Sequence, residues 1–188
     1  MGAFPTSVGP ELIDVAAGAA HKWLLTPEGV GLLYLSDRAR ERLEPTFVGW
    51  TSVPAPDDYG DFEQGWNSGA LAWETGTGPA ALIHGLEASL RLLVETEVGR
   101  IANHLEQLTD YLCQRLQGRD YQIVSSRRAS EKSQILCIRH QAGLSSMALY
   151  AHLKSRNIIT APRGDRLRVA PHLYNTFEDI DELVNALP

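Results

Sequence analysis

The sequence predicts an α/β fold, and two patterns along the chain indicate it. Leucines recur at helical spacing through residues 79–117, and short apolar runs alternate with helical segments from residue 118 onward. A chain of 188 residues that is 44% hydrophobic and 21% charged is long enough to bury a core. We therefore expect three parts, at residues 1–78, 79–117 and 118–188.

The first part predicts two strands and a long loop. Residues 13–16 are one strand candidate, and the continuous apolar run at 31–35 is typical of a buried strand. Pro27 and Gly29 mark a turn between the two strands. Residues 45–78 are rich in glycine and show no helical period, so we expect an ordered, functional loop there.

Two consecutive amphipathic helices are predicted next. Pro79 suits a first helical position, with Thr77 or Gly78 before it as the cap. Apolar residues then mark one face of each helix, with a weak point at Gly99 between the helices. These residues are Leu82, Leu86, Leu90 and Leu93 before Gly99, and Ile101, Leu105, Leu108, Leu112 and Leu116 after it.

The last part alternates strands with helices, as a compact α/β module does. Four runs have the character of short strands. They are residues 121–124, 134–138, 157–160 and 166–170. Ser145 caps a predicted helix at 145–155, and Thr176 caps a final helix at 177–187.

The composition excludes several classes of protein. The formal net charge is −6 and no basic stripe is present, so we expect no nucleic-acid partner. No apolar stretch reaches the length of a membrane span, so we expect no membrane partner. Cys113 and Cys137 lie far apart, without a CxxC motif. This pattern predicts no metal site and favours a reducing, cytoplasmic location.

Lys22 is the first candidate for chemistry. It lies between His21 and the apolar run at 23–25, and apolar flanks indicate partial burial. Burial lowers the pKa of a lysine, and the neutral amine is the form that attacks an aldehyde. The alternative is a lysine whose stem packs while its ammonium group stays in water.

A segment rich in glycine and threonine precedes the predicted helix. It reads Trp73-Glu74-Thr75-Gly76-Thr77-Gly78-Pro79. Such a segment places backbone N–H groups and hydroxyls at a helix N-terminus, which is a site for an anion such as phosphate. An ordinary capped helix start has the same sequence character, so this alternative stays open.

Two arginines lie on a predicted strand near the end of the chain. Alternation places Arg166 and Arg168 on the same face of that strand. A guanidinium fixed on a strand can bind a substrate carboxylate through two hydrogen bonds. Ion pairs with acids such as Asp165 or Asp181 are the alternative for these arginines.

Taken together and in this order, the segments resemble the class V aminotransferase family, which depends on pyridoxal 5′-phosphate (PLP). The family includes cysteine desulfurases, kynureninase and isopenicillin N epimerase-like proteins. Residues 21–31 and the apolar strand after them resemble its PLP-lysine region, and residues 74–77 resemble its E-x-G-T turn. Its C-terminal signature is matched by Arg168, His172-x-Tyr174-Asn175-Thr176 and Asp179-Ile180-Asp181.

The resemblance implies a role for each matched residue. Lys22 would form the Schiff base with PLP and move a proton, with His21 beside the cofactor. Gly76 and Thr77 would bind the cofactor, Thr77 through the phosphate, in this family usually that of the neighbouring protomer. Arg168 would bind the α-carboxylate of an amino-acid substrate.

The resemblance also implies a fold, the C-terminal part of a PLP-transferase. Its parts are a remnant of the PLP-binding large domain (1–78), connecting helices (79–117) and a small C-terminal α/β domain (118–188). Family members are considerably longer, and the part expected before Met1 supplies the ring stacked on the cofactor and the aspartate at its pyridine nitrogen. Position 19, often Ser or Thr, is Ala19. We therefore expect half of a cofactor pocket here.

Desulfurase activity is not expected from this sequence. Cysteine desulfurases carry a nucleophilic cysteine in the loop before the C-terminal arginine strand, whereas residues 160–165 contain none. Cys113 and Cys137 fall on predicted core positions, where cysteine acts as a small hydrophobe. An epimerase, lyase or aminotransferase parent fits the sequence better.

Three functional hypotheses follow. In the first, the chain is the C-terminal half of a PLP-dependent enzyme, inactive alone and completed by a missing N-terminal half or a partner chain. In the second, it is a truncated, non-catalytic homodimer kept for structure or binding. In the third, it is an anion- or nucleotide-binding module that uses Thr77 and the helix start. Whether the chain binds PLP discriminates among them.

Overall fold

The computed structural model describes residues 1–9 and 12–188, and the chain divides into two compact units. The hairpin unit comprises Thr6–Glu95, and the four-strand unit comprises Met1–Pro5 and Thr96–Pro188. Each unit therefore contains one of the two predicted long helices. The three-part division at residues 78 and 117 stays a prediction.

The sheet of the hairpin unit is a two-stranded antiparallel hairpin. Strand β1 (Val15–Ala19) pairs with β2 (Gly31–Leu35). The strand predicted at 31–35 is confirmed, and the strand predicted at 13–16 begins two residues later, at Val15. The prediction that residues 31–35 are buried is wrong, since Leu32 is 37% and Leu33 is 52% exposed. A sheet of only two strands leaves much of its surface without covering neighbours.

After β2, the hairpin unit continues with one short helix and a long loop. Helix α1 (Asp37–Arg40) follows β2, and its cap Ser36 accepts a hydrogen bond from the backbone of Ala39 at 3.0 Å. Residues 45–68 form turns, followed by a 3₁₀-helix at Gly69–Trp73. The prediction of a long ordered loop at 45–78 is thus confirmed, apart from this 3₁₀ turn.

The two predicted long helices are present. They are α2 (Ala80–Thr96) and α3 (Val98–Arg115). The break between them lies at Glu97 rather than Gly99, because Glu97 adopts a left-handed conformation with φ of 64°. The predicted apolar face of α3 is confirmed, with Ile101, Leu105, Leu108 and Leu112 at most 2% exposed.

The four-strand unit contains an antiparallel sheet in the order β3-β4-β6-β5. Its strands are β3 (Tyr121–Ile123), β4 (Leu136–His140), β5 (Ala161–Arg163) and β6 (Arg166–Val169). The predicted strand at 157–160 is wrong. Asn157 adopts φ of 63° just after helix α4 (Ser146–Lys154), so the chain turns there and pairing with β6 starts only at Ala161.

Helices cover one face of this sheet. Ser145 caps α4, and Thr176 and Asp179 form a capping box at α5 (Phe177–Ala186), as the sequence predicts. Side chains of α3, α4 and α5 pack with those of the sheet into one core. Its buried members are Leu108, Leu112, Leu116, Tyr121, Leu136, Ile138, Leu149, Leu153, Leu167, Val169, Ile180, Leu183, Val184 and Leu187. No helix in the described ranges is both long and apolar enough to cross a bilayer.

Candidate functional site

Lys22 lies in the turn that follows β1. The backbone N–H of Leu25 donates to the carbonyl of Lys22 at 3.2 Å, and Leu25 adopts φ of 57°. This turn buries Leu24, which is 5% exposed, and leaves Lys22 exposed. The expected partial burial of Lys22 is therefore wrong, and its amine is accessible from solvent.

The other two lysines of the chain have electrostatic partners. The ammonium of Lys132 lies 2.8 Å from Glu106 and 2.7 Å from Asp110, and its hydrogen bonds with Asp110 and Glu106 raise its pKa. The ammonium of Lys154 lies 5.6 Å from the ring centroid of Tyr150. Among the described residues, Lys22 alone of the three lysines has no such partner.

A cleft of about 1210 Å³ lies within the hairpin unit, beside β1 and β2. Its polar and aromatic lining residues are His21, Glu28, Tyr34, Arg40, Trp73 and Glu74. The structure thus brings His21 and the first residue of the E-x-G-T turn to the same cleft. Lys22, Gly76 and Thr77 do not line it, although each is adjacent in sequence to this region.

The E-x-G-T turn is held by a segment that the sequence analysis did not single out. The hydroxyl of Thr51 donates to the carbonyl of Glu74 at 2.7 Å. Gly49 approaches the backbone of Thr75 so closely that a Cβ at position 49 would overlap the Thr75 carbonyl. A Cβ at Gly76 would lie 3.5 Å from Nε1 of Trp50. The Gly-Trp pair in a glycine-rich loop was the sequence signal for this contact.

Thr77 lies between the turn and α2. Its side chain is exposed, and its hydroxyl makes no hydrogen bond within the described residues, so the predicted capping role is not seen. The first turn of α2 contains no acidic residue, and the carbonyl of Pro79 accepts from Leu82 and Ile83. A free hydroxyl beside a helix N-terminus without negative charge is suited to an anion.

Arg168 belongs to the four-strand unit, on the sheet face opposite the core. Its Nε is buried and has no hydrogen-bond partner in the part of the chain that the structure describes. Asp165 pairs with Arg166 at 3.2 Å, and Asp181 accepts from Tyr111 at 2.8 Å. Neither acid named as a possible partner is therefore bonded to Arg168, and its buried Nε is left without a partner among the described residues.

The donor set fits PLP in part. An accessible amine suits the aldehyde, and a free hydroxyl at a helix start suits the phosphate. The guanidinium of Arg168 suits the carboxylate of an amino acid. Lys22 and Thr77 belong to the hairpin unit and Arg168 to the four-strand unit, so each group is matched to PLP chemistry by itself. The expected ring and aspartate partners of the pyridine are not among these groups.

Comparisons with known proteins agree with this fold and these motifs. The family model for class V aminotransferases matches residues 4–183. The aminotransferase YcbU of Bacillus subtilis is 25% identical over 99% of this chain and 48% of its own length. Isopenicillin N epimerase of Streptomyces clavuligerus is 32% identical over 93% of this chain and 46% of its own length. The chain spans about half the length of the curated relatives it matches.

A solved structure shows the same fold. It is a C-DES mutant with glycine covalently linked to the PLP cofactor, with a TM-score of 0.87 and 23% identity. The match covers 98% of this chain and 48% of that chain, so the fold here is part of the PLP-transferase fold. Members of the matched family bind PLP. The fold and the family match together show that this chain belongs to the class V aminotransferase family.

Proposed function

We propose that this chain is the C-terminal half of a PLP-dependent enzyme that acts on an amino acid. One observation carries the proposal. Lys22, which the motif resemblance assigns to the PLP lysine, presents an exposed amine without an ion pair among the described residues. The other lysines are engaged with carboxylates or with a tyrosine ring.

The residues of the hairpin unit would hold the cofactor. Lys22 would hold the cofactor through its amine, which condenses with an aldehyde with loss of water, and its Nζ could then hold or move a proton. By the resemblance, Gly76 and Thr77 would bind the cofactor phosphate, usually that of the neighbouring protomer, and His21, which lines the cleft, would lie beside the cofactor. When bound, PLP supplies an electron sink for charge that develops on the substrate carbon.

Arg168 would bind the substrate. Its guanidinium would donate two parallel hydrogen bonds to an α-carboxylate, which would fix the orientation of the amino acid. Arg166, the other candidate on this strand, is engaged with Asp165. The carboxylate-binding role therefore belongs to Arg168.

Several features support a reaction other than desulfuration. The turn between β5 and β6 consists of Gly164 and Asp165 and contains no cysteine. The prediction that Cys137 lies in the core is wrong, since Cys137 is half-buried and pairs with Arg168 on the sheet face opposite the core. Burial raises the pKa of the Cys113 thiol, which disfavours the nucleophilic thiolate. The relatives include an isopenicillin N epimerase, a kynureninase and a probable cysteine desulfurase, so the loop without cysteine, rather than the relatives, favours an epimerase, lyase or aminotransferase reaction.

Turnover would require a second set of residues. Neither the stacking ring nor the aspartate for the pyridine nitrogen is identified in this chain, and without that aspartate the electron sink is weakened. We therefore propose that the isolated chain is inactive and that a segment or partner chain with the other half of the site completes it. Both cysteines are free thiols, which supports the proposed cytoplasmic location.

A second candidate function is a non-catalytic homodimeric module. The observation that favours it is the exposure of apolar side chains on β2, notably Leu33 at 52%. Exposed apolar surface is commonly covered by a partner. A module of this kind has no need for a cofactor at Lys22.

A labelling experiment separates the two candidates. The purified chain is incubated with PLP, reduced with borohydride and digested, and the pyridoxyl-bearing peptides are identified by mass spectrometry. We expect a stoichiometric adduct on Lys22 and none after Lys22→Ala. Lys132 and Lys154 serve as internal controls. Labelling spread over all three lysines, or no adduct, would overturn the enzyme proposal and favour the structural module.

A further inference from the structure

Ser89 of α2 connects this helix to the turn that carries Lys22. Its hydroxyl lies 3.0 Å from the carbonyl oxygen of Leu25 and 2.9 Å from that of Gly85, one helical turn earlier. A serine within a helix commonly donates to the carbonyl four residues before it, which accounts for the contact with Gly85. The contact with Leu25 spans 64 residues of sequence. It is therefore a tertiary contact, and it reaches the turn that begins at Lys22.

The peptide group between Leu25 and Thr26 is held at both of its ends. Its carbonyl accepts from the hydroxyl of Ser89, and its N–H donates to the carbonyl of Ala20 at 3.3 Å. The N–H of Leu25 donates in turn to the carbonyl of Lys22 at 3.2 Å. A path of hydrogen bonds through Leu25 thus connects the side chain of Ser89 to the backbone of Lys22.

The backbone conformation of Leu25 requires such support. Its φ of 57° lies in the left-handed region, which is unfavourable for a residue with a Cβ. Residues persist in this region when the contacts around them hold them there. Leu25 belongs to no helix or strand, so repeating structure does not fix the direction of its carbonyl. The hydrogen bond from Ser89 fixes that direction, and with it the turn that leaves Lys22 exposed.

Close packing keeps α2 against this turn. A Cβ at Gly85 would lie 3.6 Å from Cδ of Pro27, and a Cβ at Gly29 would lie 2.7 Å from Cδ1 of Leu82. The turn also buries Leu24, which is 5% exposed. Helix and turn therefore meet closely within the hairpin unit, which keeps the turn within reach of a short serine side chain.

We propose that Ser89 is a positioning residue for Lys22. Its hydroxyl holds the turn in the conformation that presents the amine to an aldehyde, and it acts through the backbone of Leu25 rather than by touching the cofactor. This role rests on the proposed function of Lys22. Condensation with an aldehyde depends on where the amine lies relative to the aldehyde carbon, so a loosened turn lowers the reaction rate at this lysine.

Hydrogen exchange tests the support of the turn without any cofactor. Ser89→Ala removes the hydroxyl, so the amides of Leu25 and Thr26 should exchange roughly threefold to tenfold faster. Ser89→Thr keeps a hydroxyl at this position and should retain the wild-type rates. Ser68→Ala is the matched control, because Ser68 is exposed in the same unit and makes no capping hydrogen bond. Unchanged exchange in Ser89→Ala would overturn the proposal whether or not PLP binds.

Labelling rates test the positioning of the amine. Each variant is incubated with PLP for increasing times and reduced with borohydride, and the adduct on Lys22 is compared with those on Lys132 and Lys154 in the same sample. Ser89→Ala should lower the rate at Lys22 relative to the other two lysines by at least about threefold. Ser89→Thr and Ser68→Ala should leave this ratio unchanged. A general loss of stability would alter all three lysines together, so the ratio separates positioning from folding.

The possible outcomes distinguish this inference from the proposed function. An unchanged ratio in Ser89→Ala, or a lowered ratio that Ser89→Thr does not restore, would overturn the positioning role and leave the proposed function of Lys22 standing. A wild type without an adduct on Lys22 would refute the proposed function, and the positioning role with it.

Discussion

The two units of the chain differ in how far they bury the apolar side chains of their strands. In β6 of the four-strand unit, Leu167 and Val169 are 0% and 6% exposed, because helices cover that face of the sheet. In β2 of the hairpin unit, the equally apolar Leu32 and Leu33 are 37% and 52% exposed. The comparison teaches that an apolar run fixes where a strand forms, whereas its burial depends on what else packs against it.

The largest expected effect on stability comes from replacing a leucine by alanine, and the same substitution made in each strand compares β6 with β2 directly. Leu167→Ala should lower the free energy of unfolding by about 2–5 kcal/mol, because it opens a cavity in a closed core. Leu33→Ala should change it by less than about 0.5 kcal/mol, because that side chain is already half in water.

Urea unfolding measures both variants with separate reporters. Circular dichroism follows the helices, and all four tryptophans lie in the hairpin unit, so their fluorescence reports on that unit. Equal losses for the two variants would contradict the comparison. They would show that β2 is covered in solution as fully as β6.

In the hairpin unit, close contact between the backbones of Gly49 and Thr75 holds the E-x-G-T turn, and a second substitution tests this contact. Gly49→Ala forces a Cβ into the carbonyl of Thr75, so we expect a loss of about 1–3 kcal/mol and displacement of the E-x-G-T turn. Gly65→Ala is the matched control, since a Cβ there meets no atom within 4 Å. Hydrogen exchange of residues 50–77 is the measurement. Equal exchange in both variants would show that Gly49 does not hold the E-x-G-T turn in place.

The same difference between the units explains how far the sequence predicted the structure. Caps and leucine spacing are local signals, so Ser145, Thr176 and the buried face of α3 were predicted correctly. The strand at 157–160 was wrong because Asn157 entered the left-handed region, which an apolar run does not reveal.

The candidate site was predicted less completely than the fold. Motif order singled out residues 21–24 and 74–77, whose roles stay predictions. The residues flanking Lys22 did not predict its exposure, which depends on the turn at Leu25. The support from Gly49 and Thr51 was missed because it joins segments more than 20 residues apart. The sequence could not show that Arg168 lacks an acidic partner, because the pairing of Asp165 with Arg166 and of Asp181 with Tyr111 depends on the tertiary fold.

A smaller effect is expected at a capping aspartate of the four-strand unit. Hydrogen bonds from the backbone of Thr176 and the side chain of Asn175 hold the pKa of Asp179 below its ordinary value of 3.8. Because the folded pKa is the lower one, this stabilisation is fully present above the ordinary pKa and is lost as pH falls through the folded value. Asp179→Asn should therefore cost roughly 1 kcal/mol at neutral pH.

Urea midpoints at neutral pH and near pH 3 measure this dependence. The difference between wild type and Asp179→Asn should shrink on acidification, since the wild-type carboxyl becomes protonated. Asp57→Asn is the control, because that carboxylate makes no hydrogen bond within the described part of the chain. A difference that grows with acid would contradict the assignment.

The smallest effects on stability are expected at Arg166 and Arg168 of β6. Comparing the two substitutions tests whether the Arg168 guanidinium serves the fold or a ligand. Arg166→Met removes an exposed pair with Asp165, which is worth about 0–1 kcal/mol. Arg168→Met breaks no ion pair among the described residues and keeps most of the packed stem, so it should change stability by less than about 0.5 kcal/mol. Thermal unfolding of the two variants decides between a structural and a ligand-binding guanidinium. If Arg168→Met proves the more damaging substitution, the guanidinium supports the fold, and another residue must bind the substrate carboxylate.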